Sequence, residues 1–205
     1  MVLLIKLKQT FIVKGNFMIK QIMPFILMLV LAGCTTTKYV KITPLTKIVT
    51  GDLSNFAQQQ HTFAWYPNRS KTFLPDSVNK TLFTEYTQGA ITQIMQDKGY
   101  TLVDAPQQAD FLIGYGLAIE SELSDEEIFD KVGNKVGLVL NHLDPKEFQK
   151  GSAFIAFYQP QTLQPQWQVL AQGIAKNKVS TEERKKNIYA VMHSMLNRVP
   201  TRVAK

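Results

Sequence analysis

Cysteine and histidine are scarce in this chain, and their scarcity excludes several kinds of site. Cys34 is the only cysteine among 205 residues, so no disulfide forms within one copy and the fold must rest on its hydrophobic core. The histidines, His61, His142 and His193, are far apart and lack the short spacings that zinc ligands show. We therefore predict neither a metal site nor a bound cofactor.

Motifs typical of catalysis are missing as well. No serine lies in a Gly-x-Ser-x-Gly sequence, which forms the nucleophile turn of many hydrolases. No glycine-rich phosphate loop follows a predicted strand, since Gly133 and Gly137 are isolated from other glycines. Without such a motif we assign no catalytic residue, and we predict that the protein is not an enzyme.

The excess of positive charge is concentrated near the amino terminus. The formal net charge is +7, but four lysines and no acidic residue lie within residues 1–33. The rest of the chain has 19 of the 23 Lys and Arg against 16 Asp and Glu, a net charge of +3. No basic stripe accompanies that small charge, so we predict no nucleic-acid partner.

Cys34 closes an apolar run and follows Leu-Ala-Gly at residues 31–33. The apolar run, residues 22–31, is too short to span a bilayer, which takes about 20 residues, and basic residues precede it. This pattern resembles the bacterial lipobox, in which the cysteine receives a diacylglycerol, the preceding peptide is removed and the new amino terminus is acylated. We therefore predict a signal peptide at 1–33, a lipidation site at Cys34 and a membrane partner through that anchor.

Two residues near Cys34 refine this prediction. A signal peptide that starts at Met18 would have an ordinary length, so we expect translation to start there. Thr35 occupies the position at which lipoproteins retained in the inner membrane typically have Asp. We therefore expect the protein at the periplasmic face of the outer membrane.

The mature chain is predicted to form one domain behind a tether. Residues 34–50 carry few large apolar side chains and are interpreted as the lipidated amino terminus and tether, although Lys47–Val49 has the β-branched composition of an edge strand. Residues 51–205 have a length typical of a single domain. Residues 121–150 are interpreted as an insertion between strands, helical from about Ile128 to Leu143.

Periodicity predicts an α+β fold with a mainly antiparallel sheet of about four or five strands and two principal helices packed on it. The prolines around residues 160–165 indicate the turn of a hairpin. Strands are predicted at 62–66, 100–103, 109–119, 153–158 and 166–174. One helix is capped by Asp76 or Ser77 and ends at Gly99, and the other begins at Ser180 and ends before Pro200.

Large apolar side chains recur on one face of each predicted element. We expect these to be core positions rather than site residues: Phe63, Trp65, Phe111, Tyr115, Trp167 and Met192.

The strand at residues 109–119 has one bulky face and one nearly bare face. Gly114 and Gly116 lie on the bare face, and glycines inside a strand usually indicate a bulge or the close approach of another backbone or helix. We favour a helix packed across this face, because sheets need a covering layer. The alternative is a ligand lying against Gly114 and Gly116.

Residues 120–130 contain six carboxylates, the densest acidic run in the chain. The run lacks the alternating order of a calcium loop, so a solvated loop or a helix start is favoured over loose divalent-ion binding. Long insertions often carry function. If a partner surface exists, Asp125, Glu126 and Glu127 are its candidate residues.

The order of several short motifs resembles a widespread family of Gram-negative envelope lipoproteins that share a domain of unknown function. The resemblance covers roughly residues 50 to 200, and only the turn at Gln159–Pro165 departs from the family's frequent Asp and Gly. It implies an α+β envelope lipoprotein without established catalytic residues. The motifs are Phe63-Ala64-Trp65, Gly99-Tyr100, Ala109-Asp110-Phe111-Leu112 with Tyr115, Trp167, and a helix ending at Pro200.

Two functions agree with the sequence. The first is a non-catalytic interaction or structural module of the envelope that contacts other envelope proteins. The alternative is a binding protein for a small amphiphile or lipid that uses the glycine-lined strand face. A cavity of a few hundred Å³ behind Gly114 and Gly116 would favour the second function, and a filled core would favour the first.

Overall fold

The computed structural model describes residues 45–134, 136–138 and 144–202. The predicted signal, Cys34 and the tether as far as residue 44 lie outside these described residues. Within them, no helix is both long enough and apolar enough to cross a membrane.

The described residues form six strands and four α-helices. Two short 3₁₀ turns, at Pro106–Gln108 and Leu196–Arg198, complete the regular structure. In chain order the elements are β1 Thr46–Gly51, α1 Phe56–Gln59, β2 Thr62–Phe73, α2 Lys80–Asp97, β3 Thr101–Leu102, β4 Phe111–Ile119, α3 Asp125–Val132, β5 Phe148–Tyr158, β6 Pro165–Lys176 and α4 Thr181–Met195.

All strands belong to one sheet of order β1-β6-β5-β4-β2-β3. The pairs β1/β6, β6/β5 and β5/β4 are antiparallel, whereas β4/β2 and β2/β3 are parallel. The α+β class is therefore confirmed, but the expected four or five mainly antiparallel strands are six in a mixed sheet. The parallel half arises because the chain leaves β2 through α2, and a helical crossover returns it in the same direction.

β2 is longer than the sequence suggested, because it continues past Pro67. Its register against β4 shifts between Trp65, which faces Ile113, and Ser70, which faces Tyr115. Pro67 lies in this bulge, where its missing N–H breaks no ladder hydrogen bond. The Ser70 hydroxyl donates to the Tyr66 carbonyl at 3.0 Å and closes the bulge on itself.

The main core lies between one face of the sheet and the two long helices, α2 and α4. Phe63, Phe111, Tyr115, Trp167 and Met192 are buried there, as predicted. Trp65 was predicted to be a core residue as well, but it is only partly buried and packs against the margin of this core.

β1 is the edge strand that the residues at 47–49 predicted. It pairs with β6 from Thr46 opposite Gln172 to Gly51 opposite Trp167. The Lys47 ammonium donates to the Ser194 carbonyl of α4 at 2.6 Å, which joins this edge to the helical layer. The folded domain therefore begins inside the range 34–50 that the sequence assigned to the tether.

The helix ends follow simple capping rules. Asn79 caps α2, since its side chain accepts a hydrogen bond from the Leu82 amide at 3.1 Å, so the prediction of Asp76 or Ser77 was wrong by two or three residues. Gly99 follows α2 with φ of +87°, a conformation that favours glycine. Ser180 caps α4 as predicted.

Candidate ligand-binding cleft

The bare face of β4 is not covered by either long helix. α2 and α4 pack against the bulky face, which carries Phe111, Ile113 and Tyr115. The favoured interpretation of Gly114 and Gly116, a helix lying across them, is therefore wrong for both long helices. The reason is that the bulky side chains supply the larger apolar area, and helices bury the face that offers it.

Gly114 is closed by the bulge of β2. A Cβ atom at Gly114 would lie 2.8 Å from the Arg69 Cβ, 2.9 Å from the Arg69 carbonyl oxygen and 3.0 Å from the Tyr158 ring. These distances are shorter than van der Waals contact, so glycine is needed for the approach of the Arg69 backbone. The close approach that the sequence indicated is made by the neighbouring strand, and no room for a ligand remains at Gly114.

Gly116 borders open space instead. A Cβ atom there would meet only ordinary contacts, at 3.7 Å from the Phe154 Cβ and 3.9 Å from the Lys71 carbonyl oxygen. An open cleft of about 220 Å³ begins here, and Ala118 and Leu170 extend its floor along the same sheet face. Gly114 is therefore required for close packing of the neighbouring strand, whereas Gly116 lines the cleft.

The insertion forms the opposite wall of the cleft. Leu123 and Ile128 are buried against Ala118 and Leu170, and the partly buried Val132 packs beside them. α3 ends at Val132, and residues 133, 134 and 136–138 are not helical, so the expected helix from Ile128 to Leu143 is wrong over this stretch. Residues 139–143 of that expectation lie outside the described residues.

A buried polar cluster fixes α3 to the sheet. Lys150 is 4% exposed, and its ammonium lies 2.8 Å from a Glu120 oxygen and 3.0 Å from an Asp125 oxygen. Gln172 is 1% exposed; its amide donates to the second Asp125 oxygen at 2.7 Å, and its carbonyl oxygen accepts from the Leu138 amide at 3.1 Å. We call Lys150, Gln172, Asp125 and Glu120 the polar clamp.

The clamp shifts the titration of its lysine. Burial lowers the pKa of Lys150, but the hydrogen bonds and charges of Glu120 and Asp125 outweigh burial and raise that pKa above its usual value. The ammonium form of Lys150 is therefore favoured in the folded protein.

The three candidate partner residues have different environments. Asp125 points inward to the clamp rather than to solvent. Glu127 completes a capping box, in which its carboxylate accepts from the Ser124 amide at 2.8 Å and the Ser124 hydroxyl accepts from the Glu127 amide at 3.3 Å. Glu126 is exposed. The acidic run is a helix start, as favoured, but one of its carboxylates has a buried structural role.

Three cations converge on the cleft, and sequence reasoning did not identify them. Arg69, Lys71 and Phe73 line the cleft from alternate positions of β2, so they share one strand face. Lys131 reaches it from α3, with its ammonium 5.8 Å from the centre of the Phe73 ring. The alternation of residues 69, 71 and 73 was visible in the sequence, but the strand was expected to stop at Pro67.

Among the described residues, no acidic side chain lies within the cleft to neutralise these cations. The described residues that line it include no Asp, Glu or His, and no ion pair between described residues involves Arg69, Lys71 or Lys131. Apolar side chains form the floor and wall. The arrangement offers an apolar surface with positive charge beside it.

The two histidines that fall within the described residues lie away from the cleft. The His61 Nδ1 is 2.6 Å from an Arg202 nitrogen, and the His193 ring stacks with the Tyr189 ring at 6.1 Å. Across the described part of the chain, no three His, Cys, Asp or Glu side chains are grouped in a way that could hold a metal ion. Cys34 and His142 are not among these residues.

A protein-family model described as a domain of unknown function, DUF4136, matches residues 51–201. No curated protein matches the chain.

Several solved structures are similar to the chain at low identity. A PelC dodecamer from Paraburkholderia phytofirmans has 8% identity and a TM-score of 0.46, with 78% of this chain and 100% of that chain covered. A DUF4136 family protein from Bacteroides thetaiotaomicron has 10% identity and a TM-score of 0.47, with coverages of 77% and 98%. The lipoprotein GNA1162 from Neisseria meningitidis has 11% identity and a TM-score of 0.33, with coverages of 67% and 99%. At such scores, nothing about ligands or assembly follows for this chain.

Proposed function

The chain belongs to the DUF4136 family, whose shared domain has no assigned function, and we propose that it is a non-catalytic, lipid-anchored envelope protein that binds a small amphiphile. The single observation that carries this proposal is the cleft that opens at Gly116 between the sheet and α3. A packed face would have favoured a purely structural module.

The floor and wall of the cleft suit a hydrocarbon chain. The aliphatic side chains of the floor and wall are already buried against one another. The apolar surface left for a ligand comes from the partly buried Phe73, Val132 and Phe154, and burying such surface is favourable by about 25 cal/mol per Å². The volume of about 220 Å³ lies below the roughly 300 to 1,000 Å³ of sites for drug-sized ligands. The occupant is therefore a single alkyl or acyl chain rather than a whole two-chain lipid.

The anchor places this cleft near a source of amphiphiles. Lipidation at Cys34 would hold the mature protein on a membrane, since several acyl chains together bind almost irreversibly. The residues between Cys34 and β1 reach roughly 40 Å when fully extended. The domain can thus work close to the bilayer surface, and Thr35 favours the outer membrane.

The cleft also supports a non-catalytic role. Its described lining contains three cations and the hydroxyls of Ser152 and Tyr158, but no carboxylate or imidazole to act as a general base near neutral pH. The Ser152 hydroxyl accepts a hydrogen bond from Gln172 at 3.1 Å, which gives it a structural partner. Burial raises the pKa of Tyr158 in spite of the nearby Arg69, so its phenol stays neutral.

A second candidate function is the interaction module, in which α3 contacts another envelope component. The observation in its favour is Phe129, which is 51% exposed on α3. An exposed aromatic ring is a common anchor of protein interfaces. In this alternative, the ligand of the domain is a protein and the cleft is incidental.

Purification of the lipidated protein from membranes, with mass spectrometry of both bound lipids and bound proteins, tests the proposal. Gly116→Phe should fill the cleft and remove a co-purified single-chain amphiphile. Gly89→Phe is the matched control, because a Cβ atom added at Gly89 would have no neighbouring atom within 4 Å. A lipid retained equally by Gly116→Phe would contradict the proposal, and a protein partner lost on Phe129→Ala would favour the second candidate.

A further inference from the structure

We infer that the occupant of the cleft carries an anionic headgroup, a phosphate or a carboxylate, that Arg69, Lys71 and Lys131 bind. This inference rests on the proposed function, since it specifies the class of amphiphile that the cleft takes.

The cations come from two elements that meet only in the folded protein. Arg69 and Lys71 are two residues apart on β2, and the β2–β4 register places Lys71 directly beside Gly116. Lys131 comes from the last turn of α3, on the opposite wall. Positive charge therefore lies on both sides of the same opening.

Two carboxylates of α3, Glu127 and Asp125, have partners outside the cleft. Glu127, four residues before Lys131, has its pKa lowered chiefly by the hydrogen bonds to Ser124, and the charge of Lys131 contributes least. Asp125 is held by the polar clamp. The cations of the cleft thus differ from Lys150 on the same sheet face, which has two carboxylates within 3.0 Å.

An anion at this opening is attracted by the positive charge on both of its sides. An arginine guanidinium binds phosphate or carboxylate through two parallel hydrogen bonds, and lysine adds a point charge. The cations and the apolar residues Ala118 and Leu170 line the same cleft. When the cations bind the anionic headgroup of a ligand, its alkyl chain can contact these apolar residues. A single ligand with an anionic head and one hydrocarbon chain satisfies both parts of the cleft.

Three photoreactive alkyl probes of equal chain length test the inference on membranes that carry the full-length lipoprotein. Their headgroups are phosphate, maltoside and trimethylammonium, and each probe has a diazirine near the end of its chain. Labelled peptides are mapped by mass spectrometry. We expect the phosphate probe to label β4 and α3 at a concentration at least about tenfold lower than the other two probes, since hydrogen bonds between charged groups are the strong ones.

Substitution of the cations should change headgroup preference and not chain binding. Arg69→Gln, Lys71→Gln and Lys131→Gln combined should remove the preference for phosphate and leave labelling by the maltoside probe unchanged. Lys178→Gln with Lys186→Gln is the control, because both are exposed lysines away from the cleft. Arg69→Lys and Lys71→Arg should retain the preference for phosphate, because both variants keep the positive charge. A loss of preference that is seen only in the Gln variants is therefore caused by the lost charge and not by altered packing at the bulge.

The outcomes separate the inference from the proposed function. If all three probes label the cleft equally in the wild-type protein, the amphiphile proposal stands and the anionic headgroup is wrong. If the triple variant keeps the preference for phosphate, these three residues do not bind the headgroup and the inference is overturned. If no probe labels the cleft, both fail. Competition by inorganic phosphate at the concentration of the alkyl phosphate would show a free-anion site instead and would also overturn the inference.

Discussion

The backbone of Arg69 crosses Gly114 so closely that its carbonyl oxygen lies 2.9 Å from where a Cβ atom would stand. Glycine at position 114 leaves room for the β2 bulge, and beyond the bulge Lys71 pairs with Gly116 at the cleft. The bare strand face that appears uniform in the sequence is therefore closed at Gly114 and open at Gly116.

Gly114→Ala should destabilise the domain. The added methyl group would overlap the carbonyl oxygen and the Cβ of Arg69, which cannot move without shifting the bulge, and overpacking of this kind costs about 1 to 3 kcal/mol. Urea denaturation of residues 35–205 measures the loss. Gly89→Ala, at an exposed and uncrowded position of α2, should instead stabilise by about 0.5 to 1 kcal/mol. Equal midpoints for wild type and Gly114→Ala would show that the approach of Arg69 is not tight.

Lys150→Met should loosen α3. The change removes the cation of the polar clamp and leaves the partly buried Asp125 without it, and an uncompensated buried group costs about 1 to 3 kcal/mol. Hydrogen exchange of the α3 amides should accelerate more than exchange in α2. Lys146→Met, at an exposed position, is the control. Unchanged exchange in α3 would mean that its apolar contacts alone hold the insertion.

The clamp also determines how neutralisation of the acidic run affects stability. Neutralising Asp125, Glu126 and Glu127 would be nearly free if all three were solvated, but Asp125 accepts hydrogen bonds from Lys150 and Gln172. These partners are 25 and 47 residues away in the chain. No local sequence pattern predicts such contacts, because they depend on how the insertion folds back onto the sheet.

Other parts of the fold were predicted correctly because they depend on contacts between residues close in the chain. The hairpin of β5 and β6, the stop of α2 just before Gly99 and the burial of Met192 on α4 each depend on residues that are neighbours in the chain. The end of β2 was wrong because Pro67 normally stops a strand, and only the partner strand shows that a bulge absorbs it.

The domain should lose stability in strongly alkaline solution. Burial raises the pKa of Tyr100 to about 12, against the smaller opposing effect of Arg202. The unfolded chain ionises this phenol near its ordinary pKa of 10.0, so the stabilising effect is complete below pH 10 and is lost as the pH rises through 12. Denaturation midpoints between pH 9 and 12 should fall less steeply for Tyr100→Phe. An identical pH profile would show that Tyr100 ionises normally in the fold.

At neutral pH, Tyr100→Phe should cost about 1 kcal/mol, because its hydroxyl donates to the Pro200 carbonyl at 2.9 Å. This separate effect must be subtracted before the pH profiles are compared.

Cys34→Ser should abolish the anchor. No other cysteine is present to accept a diacylglycerol, so the precursor should remain uncleaved and unlabelled by a metabolic fatty acid. Fractionation of the wild-type protein should place it with outer-membrane markers. Fatty-acid label on the serine variant, or wild-type protein found mainly with inner-membrane markers, would contradict the predicted anchor or its location respectively.

The central claim is that the cleft beside Gly116 binds the chain of an amphiphile. Nuclear Overhauser contacts between an alkyl phosphate and methyl-labelled residues 35–205 measure this directly. We predict contacts from the alkyl chain to the methyl groups of Ile128 and Leu170, and their loss in Gly116→Phe but not in Gly89→Phe. Contacts only to the exposed Leu163, or contacts to Ile128 and Leu170 that persist in Gly116→Phe, would contradict the claim.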